Sequence, residues 1–464
     1  MYQKKKHIHF VGIGGIGMSG IAELLINLGY LVTGSDLKSS VMTEHLRELG
    51  AKIYIGHNGE WVEGAEVVVT SSAIDRDNAE VVVAQEQNIP VIQRAEMLAE
   101  LMRLKKYGIA IAGSHGKTST TSMVSWLLHK AGLDPTIVIG GKVDKLGGNA
   151  KLGEGEFLVA EADESDGSFL KLAPVIEVIT NIDLEHLDYY RDIEHIKQSF
   201  LEFIDKVPFY GAVILCLDDK NIADILPAIA KRTMSYGFTS QADIYAEKIS
   251  FSEGRIHFTV MKEGQALGDI DIAPPGKHNV YNALAAVCVG LELEIAFADI
   301  KEALQSYPGV QRRMQLKGVV NGITVVDDYG HHPTEIMATL EAIKEAWPEK
   351  RLVVVFQPHR YSRTQALYKD FQTCFHRADY LIMTDIYAAS EKPVPGISSE
   401  KLLHEIKLHG QRHTLYIERM ADVPERLLEL LEEDDLVLTL GAGNIVSAGE
   451  KLLKHLRNEA VQHE

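Results

Sequence analysis

Two glycine-rich segments carry the residue types that hold phosphate. In Ala112-Gly113-Ser114-His115-Gly116-Lys117-Thr118-Ser119, backbone N–H groups can wrap β- and γ-phosphates, Lys117 can neutralise them, and the Thr118 hydroxyl can hold Mg²⁺. ATP is the expected ligand. Ile111 stands where a strict P-loop has its first glycine, and a Gly-Lys-Thr arising in an unrelated turn is the competing reading. The second segment, Gly12-Ile13-Gly14-Gly15-Ile16-Gly17, is a GxGxxG that suits a diphosphate at a helix N-terminus. Asp36 follows about 20 residues on, where it can meet a ribose hydroxyl. A glycine turn needed only for packing competes here.

Acids come next. Glu161-Ala162-Asp163-Glu164-Ser165-Asp166 begins at the end of a strand-like run, where a cation bridging phosphates finds its one or two carboxylates. A solvated acidic loop is the alternative. His186, in Asn181-Ile182-Asp183-Leu184-Glu185-His186-Leu187-Asp188, is a candidate second metal ligand or an ordinary hydrogen-bonded histidine. In the last third, Asp327-Asp328-Tyr329-Gly330-His331-His332-Pro333 and His359-Arg360-Tyr361-Ser362-Arg363 both follow strand-like runs. Arginines three apart can clamp a carboxylate or phosphate, or form the salt-bridged start of a helix.

The elements that must position these groups alternate apolar runs with amphipathic stretches, which predicts an α/β fold. Strands are expected at 7–11, 31–34, 52–55, 66–70, 109–112, 157–161, 175–180, 211–215, 323–327, 352–356, 379–384 and 436–440. Helices are expected at 16–29, 117–131, 192–206, 333–346 and 363–377. Between 232 and 273 the period changes to two, as in Ile256-His257-Phe258-Thr259-Val260, predicting a small antiparallel patch. Three domains follow: 1–106, 107–312 and 313–464.

Composition sets the outer bounds. The 464 residues are 46% hydrophobic and 24% charged, which excludes disorder and fibre. Lysine and arginine number 47 against 65 acids, a net charge of −18, which argues against nucleic acid or an anionic membrane as partner. The three cysteines are far apart, fitting a reducing, cytoplasmic setting without disulfides. Lys4-Lys5-Lys6 before an apolar run resembles a signal peptide, but histidines and glycines interrupt it, and a strand entering a glycine turn explains it better.

An ATP loop, a separate diphosphate loop and a third, basic site suit ligase chemistry: a carboxylate attacks the γ-phosphate, and an amine displaces phosphate from the acyl phosphate. At these residues, and at Gly276-Lys277-His278-Asn279-Val280-Tyr281-Asn282, the chain resembles the Mur ligases, ATP-dependent amide ligases of bacterial cell-wall synthesis. The resemblance spans essentially the whole chain and is closest to the alanine-adding branch. It implies a Rossmann-like domain for the UDP sugar, a central ATPase domain, and a C-terminal Rossmann-like domain admitting the amino acid. The implied substrates are UDP-N-acetylmuramate, L-alanine and ATP with Mg²⁺ or Mn²⁺, and a homodimer is compatible with it.

The resemblance also implies roles. Gly12, Gly14, Gly15, Ile16, Gly17 and Asp36, with Ser71, Ser72 and Arg94, hold the UDP part. Asn149, Glu164, Ser165 and Asp166 face the muramoyl carboxylate. Gly113, Ser114, His115, Gly116, Lys117, Thr118 and Ser119 serve ATP, joined by Asn279, Arg313 and Asp328. Thr118, Glu161 and His186 hold metal, and Lys117, Glu161 and His186 are the catalytic set. Tyr329, His331, His359, Arg360 and Arg363 serve the amino acid. Several Mur ligases place a carbamylated lysine after the metal histidine; here that stretch reads Gln198-Ser199-Phe200-Leu201, so no modified lysine is expected. Rival readings are a muropeptide ligase sharing the ATP residues, an NAD-dependent dehydrogenase using the first loop alone, and a nucleotide-binding regulatory module.

Overall fold

Runs such as Leu352–Phe356 and Leu436–Leu440 are apolar at almost every position and buried throughout, as strands covered on both faces must be. The computed structural model describes residues 6–71, 73–143, 148–186, 189–252, 254–273, 275–389 and 391–462. Its strands form three sheets with helices between them, the expected α/β class.

One compact unit takes the chain up to 247, with 259–270 and 281–308. Its first sheet runs Lys52–Ile55, Leu31–Asp36, His7–Val11, Val67–Thr70, Val91–Gln93, all parallel. Strand order reverses beside His7–Val11, the switch point where an open α/β sheet receives ligand, and the first glycine loop leaves that strand. In the second sheet Tyr107–Ala112 lies between Ile176–Ile179 and Phe157–Glu161. Parallel register sets Glu161 beside Ile111, so the acid and the second glycine loop leave the same sheet edge. Thr136–Val143, not anticipated because Gly140-Gly141 interrupt its pattern, pairs parallel with Phe157–Glu161.

The period-two segment forms Ile244–Ser252, Arg255–Lys262 and Gln265–Ile272. These neighbours are joined by connections too short for a crossover, hence antiparallel. Thr233–Gly237, expected among them, instead runs parallel to Ala212–Cys216.

Glu177 sits on the central strand Ile176–Ile179, fully buried, and neither carboxyl oxygen has a hydrogen-bond partner among the described residues. Burial pushes its carboxyl well above the usual range. The folded chain therefore keeps a proton that the unfolded chain releases, and stability falls as pH rises above the ordinary glutamate range. Glu177→Gln removes that penalty. Thermal melts are expected to show a gain of ~2–4 °C at pH 8 and little at pH 4; an equal gain at both would exclude a titrating acid.

The second unit takes 248–258, 271–280 and the chain from 309. Its sheet runs Gln315–Val320, Ile323–Asp328, Leu436–Leu440, Leu352–Phe356, Tyr380–Thr384, Thr414–Ile417, parallel except for the first. Alternation splits its core: Leu352, Val354 and Phe356 pack on one face with Ile336, Leu340 and Phe375, while Val353 and Val355 pack on the other with Leu452 and Leu456. The single helix expected at 363–377 is two, Tyr361–Ala366 and Tyr368–Phe371, because Leu367 leaves helical geometry with ψ 18°. All three cysteines are buried and free. Among the described residues no helix is long and apolar enough to cross a membrane.

Candidate functional site

The loop 113–116 closes between strand Tyr107–Ala112 and helix Lys117–Lys130. Gly113 has φ 130°, and a Cβ there would lie 2.1 Å from the Thr180 hydroxyl, so only glycine fits. The segment after Ile176–Ile179 scaffolds the loop. Asn181 accepts from the His115 N–H at 2.8 Å through its side chain and from the Ser114 N–H at 3.1 Å through its carbonyl. The Thr180 hydroxyl and the Asn181 amide donate to the His115 carbonyl at 2.6 and 2.9 Å. The helix N-terminus beyond is built to receive an anion.

Lys117 Nζ donates to Gly113 O at 2.5 Å, Ser114 O at 3.1 Å and Glu164 Oε1 at 2.8 Å. Burial opposes the ammonium, but Glu164, Glu161 and Asp163 outweigh it and hold Lys117 above the usual lysine range. It stays charged, with all three donors engaged. The Thr118 hydroxyl donates to Glu161 at 2.9 Å, and the Gly140 N–H donates to the same carboxylate at 2.9 Å.

His186 sits with its Nε2 3.5 Å from Glu164 and 3.8 Å from Glu185. Burial disfavours its cation, yet these two carboxylates outweigh it and raise the imidazole above its ordinary value. Ligand atoms of Glu164, Glu185 and His186 lie within 4.8 Å of one another. Glu164 Oε2 is buried without a hydrogen-bond partner among the described residues, an acceptor whose desolvation nothing in the protein offsets. Carboxylates, a hydroxyl and one imidazole, with an unsatisfied oxygen among them, fit a hard divalent cation. Thr118 and Glu161 therefore form one pair, and His186 joins a neighbouring acid cluster.

Around the first loop, the Gly12 and Ile13 N–H groups donate to Ser35 O at 2.9 and 3.0 Å, and Gly14 N–H donates to Asp36 at 2.9 Å. Asn149 donates to Ile16 O at 2.7 Å. A Cβ on Gly17 would lie 2.5 Å from an Arg94 nitrogen. Arg94 in turn pairs with Asp163 at 2.8 Å, so the first loop reaches the acidic strand end through one side chain. Ser165 donates twice to Asp163, and Asp166 accepts from Ser168 N–H. Ser71 follows strand Val67–Thr70, and Ser119 lies in the first turn of helix Lys117–Lys130. Ser72 lies outside the described residues.

The second unit has its own constellation. Asp328 is buried, accepts from Met314 and Gly330 N–H at 2.7 and 2.8 Å, and is pushed up to about 6 by burial. The guanidinium groups of Arg312 and Arg313 lie 5.1 and 5.3 Å from the centroid of the Tyr329 ring. Asn279 donates to Pro275 O at 2.9 Å. His331 and His359 face each other at 6.0 Å between ring centroids. Burial brings each to about 4, with Arg363 adding to the effect at both, so both rings are neutral at pH 7. Arg363 donates to His359 Nδ1 at 2.9 Å, while Arg360, at the helix start, is exposed.

Sequence reasoning did not single out Asp163, Thr180, Asn181 or Glu185 individually. Asp163, Asn181 and Glu185 stand in quoted motifs and Thr180 ends the strand-like run at 175–180, but only three-dimensional pairing reveals their partners. Glu80, which binds His9 and His57, had no motif at all.

Comparison with known proteins gives three family matches. The model described as Mur ligase family, catalytic domain, matches residues 7–106; the Mur ligase middle domain matches 111–290; the Mur ligase, glutamate ligase domain, matches 312–443. The UDP-N-acetylmuramate–L-alanine ligase of Desulfotalea psychrophila is 66% identical over 459 residues, covering 99% of this chain and 100% of that one. Its counterpart in Geobacter sulfurreducens is 59% identical over 457 residues, covering 98% and 99%. The solved UDP-N-acetylmuramate–alanine ligase of Thermotoga maritima has a TM-score of 0.84 at 28% identity, covering 98% of this chain and 99% of that one.

Proposed function

The chain belongs to the Mur ligase family, and on that premise we infer that it joins L-alanine to the carboxylate of UDP-N-acetylmuramate with cleavage of ATP, giving UDP-N-acetylmuramoyl-L-alanine, ADP and phosphate. The observation that carries this reading is the bridge between two phosphate loops. Arg94 touches the first loop at Gly17 and pairs with Asp163, two residues from Glu161 and one from the Lys117 partner Glu164. A substrate held on one loop and a nucleotide held on the other thus share an acidic, lysine-containing centre.

The chemistry needs a carboxylate to attack a γ-phosphate, two anions that repel. Lys117 supplies a buried positive charge where negative charge accumulates. A divalent metal, Mg²⁺ or Mn²⁺, neutralises phosphate charge when bound, and Thr118, Glu161 and His186 would hold it, with Glu164 and Glu185 beside them. Asn149 would orient the muramoyl carboxylate together with the Glu164–Asp166 loop, and Arg94 would flank the UDP part. Neutral His331 and His359 do not repel the ammonium of the incoming amino acid, and Arg360 and Arg363 offer its carboxylate planar donors. Residues 1–106 would take the UDP part, 107–312 ATP, and 313–464 the amino acid, in the cytoplasm.

The test is phosphate release from ATP and Mg²⁺ with UDP-N-acetylmuramate, with and without L-alanine, alongside a reaction with the cell-wall tripeptide. Release requiring both UDP sugar and L-alanine, with an amide product by mass, is expected. Release only with tripeptide moves the chain to the recycling branch and keeps the ATP site. No release with either amine defeats the ligase reading.

A further inference from the structure

One buried carboxylate ties together three neighbouring segments of the first sheet beside the first glycine loop. Glu80 opens helix Ala79–Glu86, where the Asn78 side chain caps its N–H at 2.9 Å, and its own side chain is wholly buried. Its Oε2 accepts from His9 Nε2 at 2.7 Å and from the Ser35 hydroxyl at 2.8 Å; its Oε1 accepts from His57 Nδ1 at 2.7 Å. Those partners come from strand His7–Val11, strand Leu31–Asp36 and the turn after Lys52–Ile55.

Burial opposes charge on Glu80, but its bonds to His9, Ser35 and His57 outweigh it and hold the carboxyl below the usual range. Behind it, His9 Nδ1 meets the Thr33 hydroxyl at 2.7 Å, and His7 Nε2 meets the same hydroxyl at 2.8 Å. One choice of ring tautomers lets donors run from His7 to Thr33 to His9 to Glu80, so that each of these contacts is a made hydrogen bond. Such a hydrogen-bonded polar network is rigid.

Ser35 and its neighbour are what the loop hangs from. Ser35 O accepts the Gly12 and Ile13 N–H groups, and Asp36 accepts the Gly14 N–H. His57 is tied to the same place, since Gly56 N–H donates to Asp36 O at 2.8 Å and the Ser35 hydroxyl lies 3.2 Å from its Nδ1. We propose that Glu80 is a positioning residue for the nucleoside-diphosphate substrate: without touching it, the carboxylate holds Ser35, His57 and the glycine loop in the geometry that receives diphosphate and ribose. This rests on assigning the first loop to the UDP substrate.

The experiment compares the full-length wild type with Glu80→Gln, which keeps the shape and removes the charge. UDP-N-acetylmuramate and Mg-ATP are each titrated calorimetrically, and KM and kcat are measured for both. The variant is expected to weaken UDP-sugar binding and raise its KM about tenfold, with ATP KM and saturating kcat within about twofold. Ser35→Ala, which cuts the link from Glu80 to the loop residue, should repeat the pattern more weakly. Unchanged UDP-sugar affinity in Glu80→Gln, or equal loss of both ligands, overturns the proposal; the second outcome marks a merely structural role. Wild type that binds ATP but no UDP sugar defeats the loop assignment itself, a result the variant arms cannot mimic.

Discussion

Lys117→Ala is expected to lower kcat by about a hundredfold, equivalent to roughly 3 kcal/mol of lost transition-state stabilisation. The ammonium is preorganised: two loop carbonyls and Glu164 hold it at the helix N-terminus, in a setting that keeps it charged. An alanine leaves Glu164, almost fully buried, without its cation, and removing one partner of a buried ion pair also destabilises by roughly 3–5 kcal/mol. A loss of activity alone is therefore ambiguous. The double variant Lys117→Ala/Glu164→Gln separates the effects, because a neutral amide no longer demands the cation. Thermal melts should recover toward wild type while phosphate release stays at least about a hundredfold down. Recovery of turnover along with stability would mean that Lys117 serves the fold and not the phosphates.

The two glycine loops were legible because the residues that form them are contiguous. Gly113 through Ser119 announces itself between a strand and a helix, and local spacing suffices to place Lys117 and Thr118 on one turn. Glu161 was legible for a different reason: it ends an apolar run, and parallel register then sets it beside Ile111. Local periodicity likewise marked Pro333–Ala346 and Leu352–Phe356 at their observed bounds. Side-chain bonds across long stretches of chain were not legible. Arg94 meets Asp163, and Glu80 meets His9, about 70 residues away in each case, and no spacing rule reaches that far. Strands carrying glycine, such as Thr136–Val143, also escaped. Their order comes from ladder partners rather than from side chains of their own.

Metal dependence should shift by about tenfold or more when the candidate donors Glu161 and His186 are weakened one at a time. Glu161→Gln retains an acceptor for the Thr118 hydroxyl and the Gly140 N–H, so the strand end is kept while one full negative charge is lost. The Mg²⁺ concentration giving half-maximal phosphate release is expected to rise at least about tenfold, and UDP-sugar affinity to stay near wild type. His186→Ala should act in the same direction, since it removes the imidazole that stands against Glu164 and Glu185. The contrast with Lys117 is the informative part. Excess Mg²⁺ should restore much of the Glu161→Gln rate but none of the Lys117→Ala rate, because mass action refills a weakened site and cannot replace a missing fixed charge. Direct Mn²⁺ binding followed by magnetic resonance, without ATP turnover, gives a readout independent of catalysis. Unaltered Mn²⁺ affinity in both variants would remove Glu161 and His186 from the metal site. Loss of metal and UDP sugar together would instead report a disturbed sheet edge, at which Glu161 and the Arg94 partner Asp163 stand only two residues apart.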